Sequence, residues 1–159
     1  MSFLEVKIQS KCPSYMGDYA FAKTFTFSTD QMNRIWPKLQ TREMFTRGQI
    51  FPYKVEFDAP DQQGPFQVGE LNIHHGPLLS VHGQVGEITS TYRDLKYFYG
   101  SYVLSFRWIR PYRLQMFREG NQLTIQLDAF IKKIWKGPWV VGNHILWWSF
   151  GWGLRLIRR

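Results

Sequence analysis

PWVVGNHILWWSFGWGLRLIRR, residues 138–159, is the stretch on which the fold of this chain turns. It holds four of the seven tryptophans and ends in a basic cluster. Pro138 suits a first helical turn, where its missing N–H is not needed. On a helical wheel, Asn143, His144, Gly151, Arg155, Arg158 and Arg159 share one sector. The rest of the wheel carries Trp139, Val141, Ile145, Leu146, Trp148, Phe150, Trp152, Leu156 and Ile157. That apolar arc is wider than an ordinary surface helix presents. Such a helix is gripped by much of a domain, lies in a lipid interface or spans a bilayer. A span needs about 20 apolar residues. Asn143, His144, Ser149 and Arg155 interrupt that length, and three glycines weaken an isolated helix.

The residues upstream favour the gripped helix over the other two. LTIQLDAFIKKIW, residues 123–135, has the cleanest alternation in the chain. Leu123, Ile125, Leu127, Ala129 and Ile131 share one face, and Gln122, Thr124, Gln126 and Asp128 the other, as in a half-buried strand. Before it, EGNQ has hairpin chemistry and YRLQMFRE reads as the partner strand, with Pro111 marking a bend. KYFYGSYVLSFRWIR is a long strand, set off by a short break at YRDLKY. Further upstream, IFPYKVEFDA, FQVGELNIHH and PLLSVHGQVGEITSTY are strands, with Gly83 and Gly86 as bulges or bends. Nearer the start, residues 1–10 and AKTFTFS alternate as strands around a Pro/Ser/Gly loop. STDQMNRIWPKLQTREMF then opens on capping residues and spaces Met32, Ile35, Trp36 and Leu39 helically. Pro37 kinks that helix or divides it into two short ones.

The expected class is therefore α+β: two short helices near the N-terminus, then a curved antiparallel sheet gripping a long C-terminal helix. A length of 159 residues suits a single domain, 1–159, with a sizeable core. Hydrophobic content of 44% and aromatic content of 18% exclude a disordered chain. The lone cysteine, Cys12, rules out an internal disulfide framework and is compatible with a reducing compartment. No charged n-region precedes an apolar h-region at the start, so a cytoplasmic protein is expected.

The layout resembles the START-like, or SRPBCC, helix-grip superfamily. The resemblance lies in FTFSTDQMNRIWPKL, which looks like that superfamily's entry of strand, Ser/Thr/Asp cap and tryptophan-bearing helix. It continues in the glycine-interrupted strands from Phe66 to Thr91 and in the terminal helix, and is architectural rather than motif-based. It implies binding, transport or sensing of a hydrophobic small molecule or lipid in a cavity between sheet and helix. Some members of that superfamily are cyclases or hydrolases, so an enzyme of the same fold is an alternative.

The residues favour binding over catalysis. His74 and His75 are adjacent and point to opposite faces of a strand, so at most one joins His82 in a site. Metal coordination wants about three convergent ligands, which would need Glu70 or Glu87 as well. No metal or other cofactor is expected. There is no G-x-S-x-G elbow, no phosphate-binding glycine loop, and no histidine near Cys12 in sequence.

Trp36, Tyr97, Tyr99, Arg107 and Trp148 are the candidate ligand-binding residues: aromatic walls with one arginine suit an apolar ligand bearing an acidic end. The plainer account is core packing with Arg107 exposed. The net charge of +8 lies wholly in the second half, where residues 81–159 hold twelve basic and four acidic side chains. Arg155, Arg158 and Arg159 are the candidates for an anionic partner, in particular a membrane surface met peripherally through the last helix. Interleaved aromatics and arginines also fit single-stranded nucleic acid. The alternation sends most of those aromatics to a core face and argues against that partner.

Overall fold

In the computed structural model, which describes residues 11–46, 54–58, 63–76, 79–102 and 108–157, the period-two segments join in one antiparallel sheet. Its strands are β1 (Gly17–Thr26), β2 (Lys54–Phe57), β3 (Leu71–Gly76), β4 (Leu79–Ile88), β5 (Tyr92–Tyr102), β6 (Ile109–Glu119) and β7 (Gln122–Ile131). Their order across the sheet is β1-β7-β6-β5-β4-β3-β2. The last six strands are thus a meander, and β1 returns to pair with β7 from Gly17↔Ile131 to Thr26↔Gln122. The helices are α1 (Thr29–Leu39), α2 (Glu43–Thr46) and α3 (Lys136–Arg155), the last entered through a single 3-10 turn at Lys133–Trp135. This is the expected α+β helix-grip architecture.

Local chemistry explains the elements. A capping box starts α1: the Gln31 N–H donates to Ser28 Oγ at 3.2 Å, and the Ser28 N–H donates to Gln31 Oε1 at 3.1 Å. Pro37 lies in the last turn of α1, which stops at Leu39, and α2 begins after a break, so the segment forms two short helices. Gly120 takes φ 56° in the β6–β7 turn. Register shifts in β4 fall at His82/Gly83 and Val85/Ile88, where bends were expected. Another shift, between Pro111 and Arg113, holds Pro111 inside β6 rather than at its end.

Some expectations change. The loop before AKTFTFS is shorter, since β1 begins at Gly17. Tyr92–Lys96 is strand rather than a break, and it is paired with both β4 and β6. The strand expected at residues 1–10 lies outside the described residues.

The largest correction concerns α3. It buries Trp139, Asn143, Trp147, Gly151 and Leu154. It exposes Val141, Ile145, Trp148, Trp152 and Leu156. Asn143 and Gly151 were assigned to the polar sector, yet that sector also holds Trp147 and Leu154. Asn143 tolerates burial because its side chain is satisfied within the helix. Its Nδ2 donates to the Trp139 carbonyl at 2.8 Å, and its Oδ1 accepts from Trp147 Nε1 at 3.0 Å. Gly151 is buried because β1 comes so close that a Cβ there would lie 2.2 Å from Phe25 Cε1. Among the described residues no helix is long and apolar enough to cross a membrane.

Candidate functional site

Where α3 lies over the sheet, the two do not close completely. A pocket of about 210 Å³ remains between them. Its helix wall is Leu146, Trp147 and Phe150. Its floor includes Val81 from β4, Leu95 and Tyr97 from β5, and Leu114 and Met116 from β6. Phe45 of α2 and Phe57 and Phe66 close the far side. Apolar side chains dominate, as expected of a site for an apolar ligand.

Among the described residues, four polar side chains enter this wall: Asn72, His74, Arg93 and Tyr97. The strand period explains each. His74 pairs with Val81 and so shares its inward face, whereas His82 pairs with Ile73 and faces outward. Arg93, Leu95 and Tyr97 alternate along β5 and point to the same side. Glycine at 83 leaves room between two of them, because a Cβ there would lie 3.0 Å from both Asn72 Oδ1 and Tyr97 Cδ1.

The electrostatics of the group are unusual for an apolar wall. Arg93 is 3% exposed. Its Nη1 donates to the Leu39 carbonyl, and its guanidinium lies 4.8 Å from the Phe45 ring centre and 4.9 Å from that of Phe66. No carboxylate among the described residues pairs with it. Burial pushes its pKa down to about 10, opposed by nearby Tyr97. Asn72 is 2% exposed, and among the described residues neither of its side-chain polar atoms has a partner. His74 stands edge-on to Tyr97, with ring centres 5.6 Å apart. Burial, then the charge of Arg93, then His75, lower its pKa to about 4. Burial likewise raises the Tyr97 hydroxyl well above its ordinary value. At neutral pH the histidine is therefore neutral and a weak base, poorly matched to proton transfer.

The other candidate acids and bases are dispersed. His75 contacts Glu56 Oε2 at 3.1 Å. Arg42 binds Glu70 through two nitrogens, one of them Nη2 at 2.9 Å from Oε2. Glu87 is exposed. Among the described residues no group of three or more His, Cys, Asp or Glu could hold a metal ion.

Of the candidate ligand-binding residues, Tyr97 lines the pocket. Trp36 is buried elsewhere: its Nε1 donates to the Ser90 carbonyl at 2.6 Å and ties α1 to the β4–β5 connection. Trp148 is turned out, 66% exposed, and its neighbour Trp147 takes the inward position, a single helical step away. The Tyr99 side chain, Arg107, Arg158 and Arg159 lie outside what the structure describes. Arg155 is exposed and stands 5.8 Å from the Phe27 ring centre. Sequence reasoning missed Arg93, Asn72 and His74 as a group. The signal was available for Arg93, which the period of two sets beside Leu95 and Tyr97 once YRDLKY is recognised as strand.

Comparison with solved structures gives the same architecture. The chain is similar to the crystal structure of ginseng major latex-like protein 151 from Panax ginseng, with a TM-score of 0.59 and 14% identity over 89% of this chain and 99% of that one. It is also similar to the Mll3558 protein from Rhizobium loti, with a TM-score of 0.52 and 14% identity over 77% of this chain and 88% of that one. At such identities the likeness is one of fold, the START-like helix-grip fold. No protein-family model and no curated protein matches the chain.

Proposed function

We propose that this protein binds a hydrophobic small molecule or lipid in the pocket between α3 and the sheet, as a carrier or sensor rather than a catalyst. One observation carries the reading: the pocket of about 210 Å³, walled by apolar side chains from α2, four or more strands and α3. A concave wall that is mostly apolar with a few polar groups suits an apolar guest. The helix-grip architecture supports the same reading by analogy of fold. Native mass spectrometry of the purified protein, with extraction and identification of bound molecules, tests it. The expected result is a retained apolar compound that the pocket-filling variant Leu146→Trp no longer holds. Retention unchanged in that variant would place the compound elsewhere and refute the proposal.

A second reading concerns the partner surface, and the outer face of α3 favours it. Val141, Ile145, Trp148, Trp152 and Leu156 form a continuous apolar stripe, with Trp148 66% and Trp152 57% exposed. Exposed Lys133 and Lys136 flank one end and Arg155 the other, and no acidic residue follows Asp128 in the chain. Tryptophans beside basic side chains suit the headgroup level of an anionic membrane, such as a cytoplasmic leaflet. A second copy of the chain would bring like charges together, so the lipid surface is the better match. Co-sedimentation with phosphatidylserine-containing vesicles, weakened by salt and by Trp148→Ser/Trp152→Ser, is the expected outcome. Sedimentation that ignores the double substitution would defeat this reading, as would self-association that the substitution abolishes in the absence of vesicles.

A further inference from the structure

The pocket holds more polarity than an apolar guest requires. A buried guanidinium with no carboxylate beside it is costly, and so is a buried amide with both ends unpaired. Arg93 is the first case and Asn72 the second, and both line the same pocket. Among the described residues, Arg93 keeps the Leu39 carbonyl and two ring faces but has no counter-charge, and the Asn72 side chain has no hydrogen-bond partner; native folds rarely leave buried polar groups so. Most of the remaining wall is apolar, with Leu95, Leu114 and Phe150 among its side chains, and His74 and Tyr97 are the other polar groups among the described residues.

We infer that the ligand of this pocket is an amphiphile whose anionic carboxylate head is gripped by Arg93 and Asn72, with its apolar body against Leu146, Trp147 and Phe150. The inference rests on the pocket-binding reading above and adds the chemical class of the guest. A guanidinium offers donors in a fixed fork that matches a carboxylate, and Asn72 Nδ2 adds another donor. The Phe45 and Phe66 rings and the Leu39 carbonyl hold the Arg93 head in place before the ligand arrives, which reduces the ordering needed on binding. His74 donates a single N–H when neutral and adds no second positive charge. The small volume of the pocket limits the guest to a short chain or a compact ring system.

Isothermal titration of the full chain with octanoate, octanol and octylammonium decides the matter, since the three share a tail and differ in the head. Octanoate is expected to bind at least about tenfold more tightly than octanol, with octylammonium weakest. Arg93→Gln should erase the preference while leaving octanol binding in place. Asn72→Leu, which replaces the unpaired amide by an apolar group of similar size, should weaken octanoate alone and keeps the test available if Arg93→Gln does not fold. Equal affinity for octanoate and octanol in the unaltered protein would overturn the inference and leave the pocket reading standing. Failure of all three probes to bind would also overturn the inference, while the pocket reading stands or falls separately on the native mass spectrometry and Leu146→Trp.

Discussion

A methyl group added at Gly151 would sit 2.2, 2.6 and 2.9 Å from three atoms of the Phe25 ring. Ordinary carbon contacts are near 3.5–4.0 Å, so Gly151→Ala requires α3 or the ring to move by about 1 Å. Phe25 is buried between β1 and the helix and has little room to yield. Two effects oppose each other. Replacing a helical glycine by alanine stabilises by about 1 kcal/mol. Overpacking of a well-filled contact costs about 1–3 kcal/mol, and a displaced helix also loosens the wall formed by Leu146, Trp147 and Phe150. The net expectation is a loss of up to about 2 kcal/mol. For a chain of this size that lowers Tm by up to roughly 8 °C. Gly142→Ala is the internal control, because a Cβ there meets nothing within 4 Å. It should gain about 1 kcal/mol and raise Tm by roughly 2–4 °C. Calorimetric melts of both variants, repeated in a Phe25→Leu background, complete the measurement. The shorter, more flexible leucine should relieve the alanine, giving a coupling energy of about 0.5–3 kcal/mol. If Gly151→Ala stabilises as Gly142→Ala does, α3 does not rest on Phe25 and the account of its buried face is wrong.

Three further outcomes follow from the same structure. The folded chain holds the His74 pKa near 4 against 6.5 when unfolded. As pH falls through 6.5 the unfolded chain gains a proton that the folded chain refuses, so up to about 3 kcal/mol of stability is lost by pH 4. His74→Gln should flatten that part of the urea-denaturation profile, and an unchanged slope would show that His74 is not shielded. Asn143→Ala leaves the buried Trp147 Nε1 without its acceptor and should cost about 1–3 kcal/mol by thermal melting; a cost near zero would mean that water reaches the indole. Arg42→Met leaves a buried Glu70 carboxylate without its counter-charge, with only the Gln67 N–H among the described residues still donating to it, and should cost about 3–5 kcal/mol, whereas Arg42→Met/Glu70→Leu should recover most of it. A double variant as unstable as the single one would contradict that pairing.

Where physics acts locally, the sequence was a sufficient guide. The alternation of Leu123 to Ile131, the Ser28 cap and the bends at Gly83 and Gly86 depend on near neighbours and were readable in advance. The face of α3 was not, because a helix apolar on nearly every side offers weak contrast. Asn143 misled because a side-chain amide counts as polar until its partners, Trp139 and Trp147, are known to lie one turn away in each direction. Gly151 misled because its smallness answers to Phe25, more than a hundred positions earlier. The polar group in the pocket was hidden by a neighbouring error. Arg93 and Asp94 make YRDLKY look like a turn, although the strand sends one charge inward and the other to Arg113 on the outer face. Asn72 and His74 come from a different strand, and nothing in sequence spacing joins them to Arg93.

The adjacency of Trp147 and Trp148 has an optical consequence. One indole borders the pocket and the other faces solvent, so two neighbouring chromophores sample two different environments. A guest entering the pocket should alter the emission of Trp147 and leave Trp148 accessible to an aqueous quencher such as iodide. A brominated lipid at the outer surface should do the reverse. Trp147→Phe would silence the inner channel and Trp148→Phe/Trp152→Phe the outer one, since Trp152 is also exposed, and the helix would then report separately on what lies beneath it and what lies above.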